Sequence, residues 1–142
     1  MPAAPRRTRR RLARPRRPNV IDSSAWLAYF ADEPGADRLA AAIEDTPRSV
    51  VPAVCLYEVF KVILRERGED DALQAAAVMQ QGRVVPFDAE LALAAAVLSL
   101  EHRLPFADSV VYATARAADA LVWTLDEHFA ELPDVHYFSK RP

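Results

Sequence analysis

Between Asn19 and Trp26 the chain steps from a short apolar run onto a carboxylate and then onto two hydroxyls, Asn19-Val20-Ile21-Asp22-Ser23-Ser24-Ala25-Trp26. Such a stretch folds as a buried strand that stops on Asp22, with a helix opening directly behind it. In an open α/β sheet, ligands bind in the crevice outside the carboxyl ends of the strands, so an acid at that point is placed to ligate a metal or act as a general base. The competing role is structural, because Asp and Ser are good N-cap residues and Asp22, Ser23 or Ser24 would serve as one.

The same strand-then-helix alternation recurs along the chain. Ser49-Val50-Val51-Pro52, Arg83-Val84-Val85-Pro86 and Ala120-Leu121-Val122-Trp123-Thr124 are compact strands, and Val135 to Phe138 is a candidate fifth strand at an edge. Helices are expected from about Ser24 to Ala31, then to about Asp45 with Leu39 and Ile43 on one face, and from Ala53 to Arg67. Three more are expected over Asp71 to Gln81, from Asp88 to about Glu101 with Leu91, Ala95 and Leu98 inward, and from Phe106 to about Ala118. Gly68 and Gly82 stand where helices stop, and Asp88 stands where one is capped. Strands separated by one or two helices specify an α/β fold with a central, mostly parallel sheet of four or five strands and helices on both faces.

At 142 residues the chain is sized for one domain with a real core. A single cysteine makes no internal disulfide; Cys55 lies in an apolar context that suits a small core residue. No phosphate-binding glycine loop is present, and no apolar run from Pro18 onward is long enough to span a membrane. The expected location is the cytoplasm. The net charge of -2 conceals an asymmetry: residues 1–17 carry eight arginines and no acid, leaving 10 basic residues against all 20 acids in the remainder. The domain is assigned to residues 18–142. Residues 1–17, rich in Arg and Pro, form a tail expected to be disordered. It would be an arm that contacts RNA phosphates, a targeting peptide, or a leader translated from a misplaced start, and a misplaced start or dispensable arm is favoured. So acidic a body is not that of a passive nucleic-acid binder.

Three more acids fall at positions comparable to Asp22. Glu58 is on the Ala53–Arg67 helix, where Val54 and Val62 share its face and Leu56, Phe60 and Ile63 give a second apolar face, so the helix is expected to be mostly buried. A buried carboxylate needs a partner, and a salt bridge to Lys61 or Arg65 is the plain alternative. Asp108 sits in the first turn of its helix with Val111, Tyr112 and Ala115 on its face, where a dipole-stabilised acid is also expected. Asp126 follows the strand that ends at Thr124, and Glu127 adjoins it. Acids gathered this closely repel one another unless a cation is bound, and oxygen ligands without a Cys/His cluster favour Mg2+ or Mn2+ over zinc. His102, His128 and His136 lie in or beside polar turns or edges, with spacing that suits no metal cluster, and are expected to be surface histidines. Trp26, Trp123 and Phe106 are expected in the core.

Val20-Ile21-Asp22-Ser23-Ser24, the Tyr57-Glu58 helix after a strand, the run from Leu104-Pro105-Phe106-Ala107-Asp108 to Ala113-Thr114-Ala115, and Thr124-Leu125-Asp126 together resemble PIN-domain ribonucleases. They resemble most the VapC-type toxins of bacterial toxin–antitoxin pairs. The resemblance extends from Asn19 to about Phe138; the arginine tail has no counterpart in it. It implies a PIN-like three-layer sandwich and an acidic quartet, Asp22, Glu58, Asp108 and Asp126, holding one or two Mg2+ or Mn2+ ions. Ser23 and Thr124 match supporting polar positions, and the Thr-x-Asp spacing favours Asp126 over Glu127. The implied activity is endonucleolytic cleavage of RNA by metal-activated water. The implied partners are a cognate VapB-type antitoxin covering the acidic groove and a second copy of the chain in a homodimer. The alternatives are a PIN nuclease of RNA processing or decay without an antitoxin, and a catalytically idle binding module.

Overall fold

The computed structural model describes residues 16–140. Five strands, β1 (Asn19–Ile21), β2 (Ser49–Pro52), β3 (Arg83–Val85), β4 (Leu121–Thr124) and β5 (Val135–Tyr137), form one sheet in the order β3-β2-β1-β4-β5. Every pairing is parallel, with Val20 opposite Val50 on one side and Val122 on the other. Among the described residues the six helices are α1 (Ser23–Phe30), α2 (Asp37–Glu44), α3 (Ala53–Arg67), α4 (Glu69–Met79), α5 (Ala89–His102) and α6 (Phe106–Ala117). They cover both faces. From β1 the chain winds outward through β2 and β3, then crosses to β4 on the far side of β1. Parallel crossovers are right-handed, so the helices of the outward path and those of the return lie on opposite faces. The direction reverses between β1 and β4, which is where an α/β sheet opens a crevice at its carboxyl edge.

The central strands are buried along their whole length, as β-branched runs covered on both faces must be. Helix α6 packs on β1, β2 and β4, and the eight residues from Asp108 to Ala115 are all buried. Trp26, Tyr112 and Phe129 are the largest side chains removed from solvent, each contributing about 2 kcal/mol or more by burial. Asp88 caps α5 as expected, accepting the Leu91 N–H at 2.9 Å. Gly68 ends α3 at φ 95°, a left-handed region that favours glycine. Among the described residues no helix is long and apolar enough to cross a membrane.

Several expectations are corrected. Phe106 is not core: it is 63% exposed and meets Phe87 edge to face at 5.6 Å between centroids. It is the first residue of α6, ahead of the stretch that turns inward. Trp26 is buried, whereas Trp123 is half-buried and stacks on His136 at 4.3 Å. Helix α3 is less buried than its composition suggests, because only Cys55, Val59 and Ile63 are sequestered while Tyr57 and Leu64 are exposed. A single stripe of α3 faces the core, and half-buried Val54, Leu56 and Phe60 flank it. The tail assigned to residues 1–17 lies outside the described residues except for Arg16 and Arg17. Arg17 reaches Asp134 at 2.9 Å and Asp119 at 3.1 Å, joining the turns that precede β5 and β4.

Candidate active site

The carboxyl ends of β1 and β4 deliver the first components. Asp22 stands at the N-terminus of α1, yet its side chain makes no capping hydrogen bond. Instead Oδ2 accepts two hydroxyl protons, from Ser24 Oγ and Thr124 Oγ1, each at 2.9 Å. Both hydroxyls are tied into the backbone beyond β4: the Leu125 N–H donates to Ser24 Oγ at 3.0 Å and the Asp126 N–H to Thr124 Oγ1 at 2.9 Å. The carboxylate of Asp22 is thus locked to the loop that carries Asp126. Burial pushes the Asp22 carboxyl above its ordinary value, and the Ser24 and Thr124 hydroxyls partly oppose that rise.

Asp108 comes from the opposite direction, in the first turn of α6, with its side chain only 12% exposed. Its carboxyl is raised to about 7, first by burial and then by the negative charges of Asp126 and Asp22. Asp126 opens a short 3-10 turn, Glu127–Phe129, accepting the His128 N–H at 2.9 Å. That turn carries the His128 ring back over the acids. His128 Nδ1 lies 2.9 Å from Asp126 Oδ1 and 3.1 Å from Asp108 Oδ2. Of the two adjacent acids, Asp126 faces this cluster while Glu127 is exposed.

Glu58 joins through a hydroxyl rather than a cation. Ser23 Oγ donates to Glu58 Oε1 at 2.7 Å, whereas Lys61 bonds the Tyr57 hydroxyl and Arg65 pairs with Glu66. The alternative, a salt bridge from Glu58 to Lys61 or Arg65, is not made. Beneath Glu58, the Cys55 thiol is fully buried and is pushed well above its usual value by burial and by the charges of Asp22 and Glu58. It is a core residue and a poor nucleophile.

Asp22, Asp108 and Asp126 therefore form one charge-coupled group at the switch between β1 and β4, and Glu58 is bonded to Ser23, the residue after Asp22. Two members were not anticipated. Ser24, read only as a possible cap, orients Asp22. His128, read as a surface side chain unsuited to a metal, is 52% exposed but touches Asp108 and Asp126. The signal available was its place two residues after Asp126, where one tight turn folds a side chain back. His102 and His136 stay away, against Tyr112 and Trp123 respectively.

The group fits a hard divalent cation. Donor atoms of Asp108, Asp126 and His128 all lie within 4.8 Å of one another. Burial and the charges of Asp126 and Asp22 raise the Asp108 carboxyl, a cost that a bound cation would offset. Carboxylate oxygens suit Mg2+ or Mn2+.

Comparison with known proteins agrees with this fold. Solved structures similar over most of their length include the following three. A toxin–antitoxin complex from Klebsiella pneumoniae gives a TM-score of 0.71 at 18% identity, covering 83% of this chain and 95% of that one. VapC20 of Mycobacterium tuberculosis, described as a toxin cleaving the sarcin–ricin loop, gives 0.70 at 24% identity, covering 82% and 96%. DNA-bound VapBC from Salmonella typhimurium gives 0.68 at 14% identity, covering 87% and 98%. A search of curated proteins finds no match to the chain. The PIN domain model, however, matches residues 20–135, a span that runs from the second residue of β1 to the first of β5 and takes in all four acids, and the chain belongs to the PIN-domain family.

Proposed function

We propose that this chain is an endoribonuclease of the VapC toxin type, cutting RNA with a Mg2+ or Mn2+ ion held by Asp22, Asp108 and Asp126, with Glu58 beside them. One observation carries the proposal: carboxylates from the end of β1, from α6 and from the turn after β4 converge, so that burial together with the charges of Asp126 and Asp22 raises Asp108 to about 7. Family membership and the likeness to toxin structures support the same activity. When bound, a divalent ion would lower the pKa of a water molecule and polarise the phosphodiester, so that no protein nucleophile is needed. The chain's own residues set the geometry. Ser24 and Thr124 fix the Asp22 carboxylate, Thr124 also ties down the backbone at Asp126, and Ser23 orients Glu58. Burial of Asp22 and Asp108 keeps bulk water from screening their charge.

The partners proposed are RNA, a VapB-type antitoxin whose segment covers the acidic crevice, and a second copy of the chain. The toxin–antitoxin complexes among the structural neighbours support the antitoxin. The test is incubation of purified protein with total cellular RNA, in Mg2+ or Mn2+ and in EDTA, beside Asp22→Asn and Asp108→Asn. Discrete fragments that require the metal and both acids are expected, with circular dichroism unchanged in the variants. Cleavage by either variant at the wild-type rate would overturn the assignment.

A further inference from the structure

Nothing in the acidic quartet calls for a nitrogen, yet His128 Nδ1 sits between two of its members. It is 2.9 Å from Asp126 Oδ1 and 3.1 Å from Asp108 Oδ2. Around an octahedral ion with bonds of about 2.1 Å, neighbouring donor atoms stand about 3.0 Å apart. The two distances are compatible with that spacing as well as with ordinary hydrogen bonds, and the three donor atoms fall within 4.8 Å of one another. The chemistry of the ring points the same way. A neutral imidazole offers at Nδ1 either one proton or one lone pair. Nδ1 thus meets two carboxylate oxygens with at most one proton of its own. A metal among the three atoms satisfies all of them.

We propose that His128 is a ligand of the divalent ion, so that the site presents an oxygen-and-nitrogen donor set and favours Mn2+ over Mg2+. Imidazole suits transition-metal ions, whereas Mg2+ takes oxygen donors almost exclusively. The backbone supplies the pre-organisation. Asp126 Oδ1 accepts the His128 N–H and so holds the 3-10 turn that aims the ring, independently of any ion. The proposal rests on the metal-dependent site described above, and its experiment separates the two.

The test is pulsed electron paramagnetic resonance on the full-length, tag-free protein loaded with Mn2+, reading spin-echo modulation from a directly bound nitrogen-14. Calorimetric titrations with Mn2+ and with Mg2+ accompany it. Wild-type protein is expected to show the nitrogen modulation and His128→Ala to lose it. The variant should bind Mn2+ about tenfold or more weakly, the range that even outer-shell partners of metal ligands command, and Mg2+ within about threefold of wild type. His128 is half exposed and its backbone contact survives the substitution, so folding is not at issue. If Mn2+ binds to wild type and is lost in Asp108→Asn, but no nitrogen modulation appears, the role of His128 is refuted and the metal site stands. Tighter Mn2+ binding by His128→Ala would also refute it, marking the ring as an internal counter-charge that competes with the ion. If wild-type protein binds neither ion, both proposals fail.

Discussion

Replacing Asp108 by Asn should make the metal-free protein more stable while removing its activity. In the unfolded chain this carboxyl titrates near the ordinary aspartate value of 3.8, and in the fold near 7, raised by burial and by Asp126 and Asp22. Between those limits the native state keeps a proton that the unfolded state has lost. Stability therefore falls as pH rises from about 4 to about 7, and above 7 the full penalty is present. A difference of about three pH units corresponds to roughly 4 kcal/mol at about 1.4 kcal/mol per unit. Local relaxation and water entering the crevice reduce this, so a gain of about 1–3 kcal/mol is expected for the variant at pH 7.5. Asn keeps the shape of the side chain and offers Asp126 an N–H. The assay is urea unfolding in EDTA at pH 7.5 and at pH 4.5. Asp108→Asn should be the more stable protein at pH 7.5, with most of the difference gone at pH 4.5. Added Mn2+ should reverse the order, since only the wild type gains the binding term. A variant that is no more stable than wild type at pH 7.5, or a difference that ignores pH, would refute the account of burial and mutual repulsion.

Other substitutions probe the same framework. Thr124→Val takes a donor from Asp22 and leaves the half-buried Asp126 N–H unpaired; about 1–3 kcal/mol should be lost in thermal melts and cleavage should drop more than tenfold. Ser23→Ala releases Glu58, and kinetic assays should show a several-fold lower kcat with a melting temperature close to wild type, the outcome for a positioning hydroxyl of about 1 kcal/mol. Gly82→Ala would place a Cβ 2.8 Å from Ser49 Oγ and 3.0 Å from the Ser49 carbonyl, so denaturant titration should find a loss of about 1–3 kcal/mol from overpacking at the start of β2.

Most of this architecture is written in local patterns. Three-to-four-residue β-branched runs mark β1, β2 and β4, and the helical spacing of Leu39 and Ile43, or of Leu91, Ala95 and Leu98, names the faces that are buried. The acids were legible because each breaks such a pattern, standing at a strand end or on an inward helical face. What escaped depends on how elements meet. Phe106 belongs to an apolar segment, but its exposure is decided by where α6 enters the core. The shallow burial of α3 reflects one covered stripe, which composition does not encode. Ser24 and Ser23 are equivalent in sequence, yet the first turn of α1 points one at Asp22 and the other at Glu58. His128 needed the 3-10 turn after Asp126, an element too short to carry a periodic signal.

The placement of β1 between β2 and β4 also fixes the order in which the chain acquires its chemistry. Asp22 is among the earliest residues of the sheet to be synthesised, but the hydroxyl of Thr124, which completes its surroundings, follows 102 residues later. The β1–β4 pairing itself joins Asn19 to Leu121. Contacts so distant along the chain close late and slowly, because loop-closure entropy has to be overcome before they form. During synthesis, a nascent chain that has emerged only as far as α5 holds Asp22 and Glu58 but neither Asp108 nor Asp126. An enzyme of the proposed kind would thus leave the ribosome inert, and would gain the power to cut RNA only when its last third folds back onto its first strand.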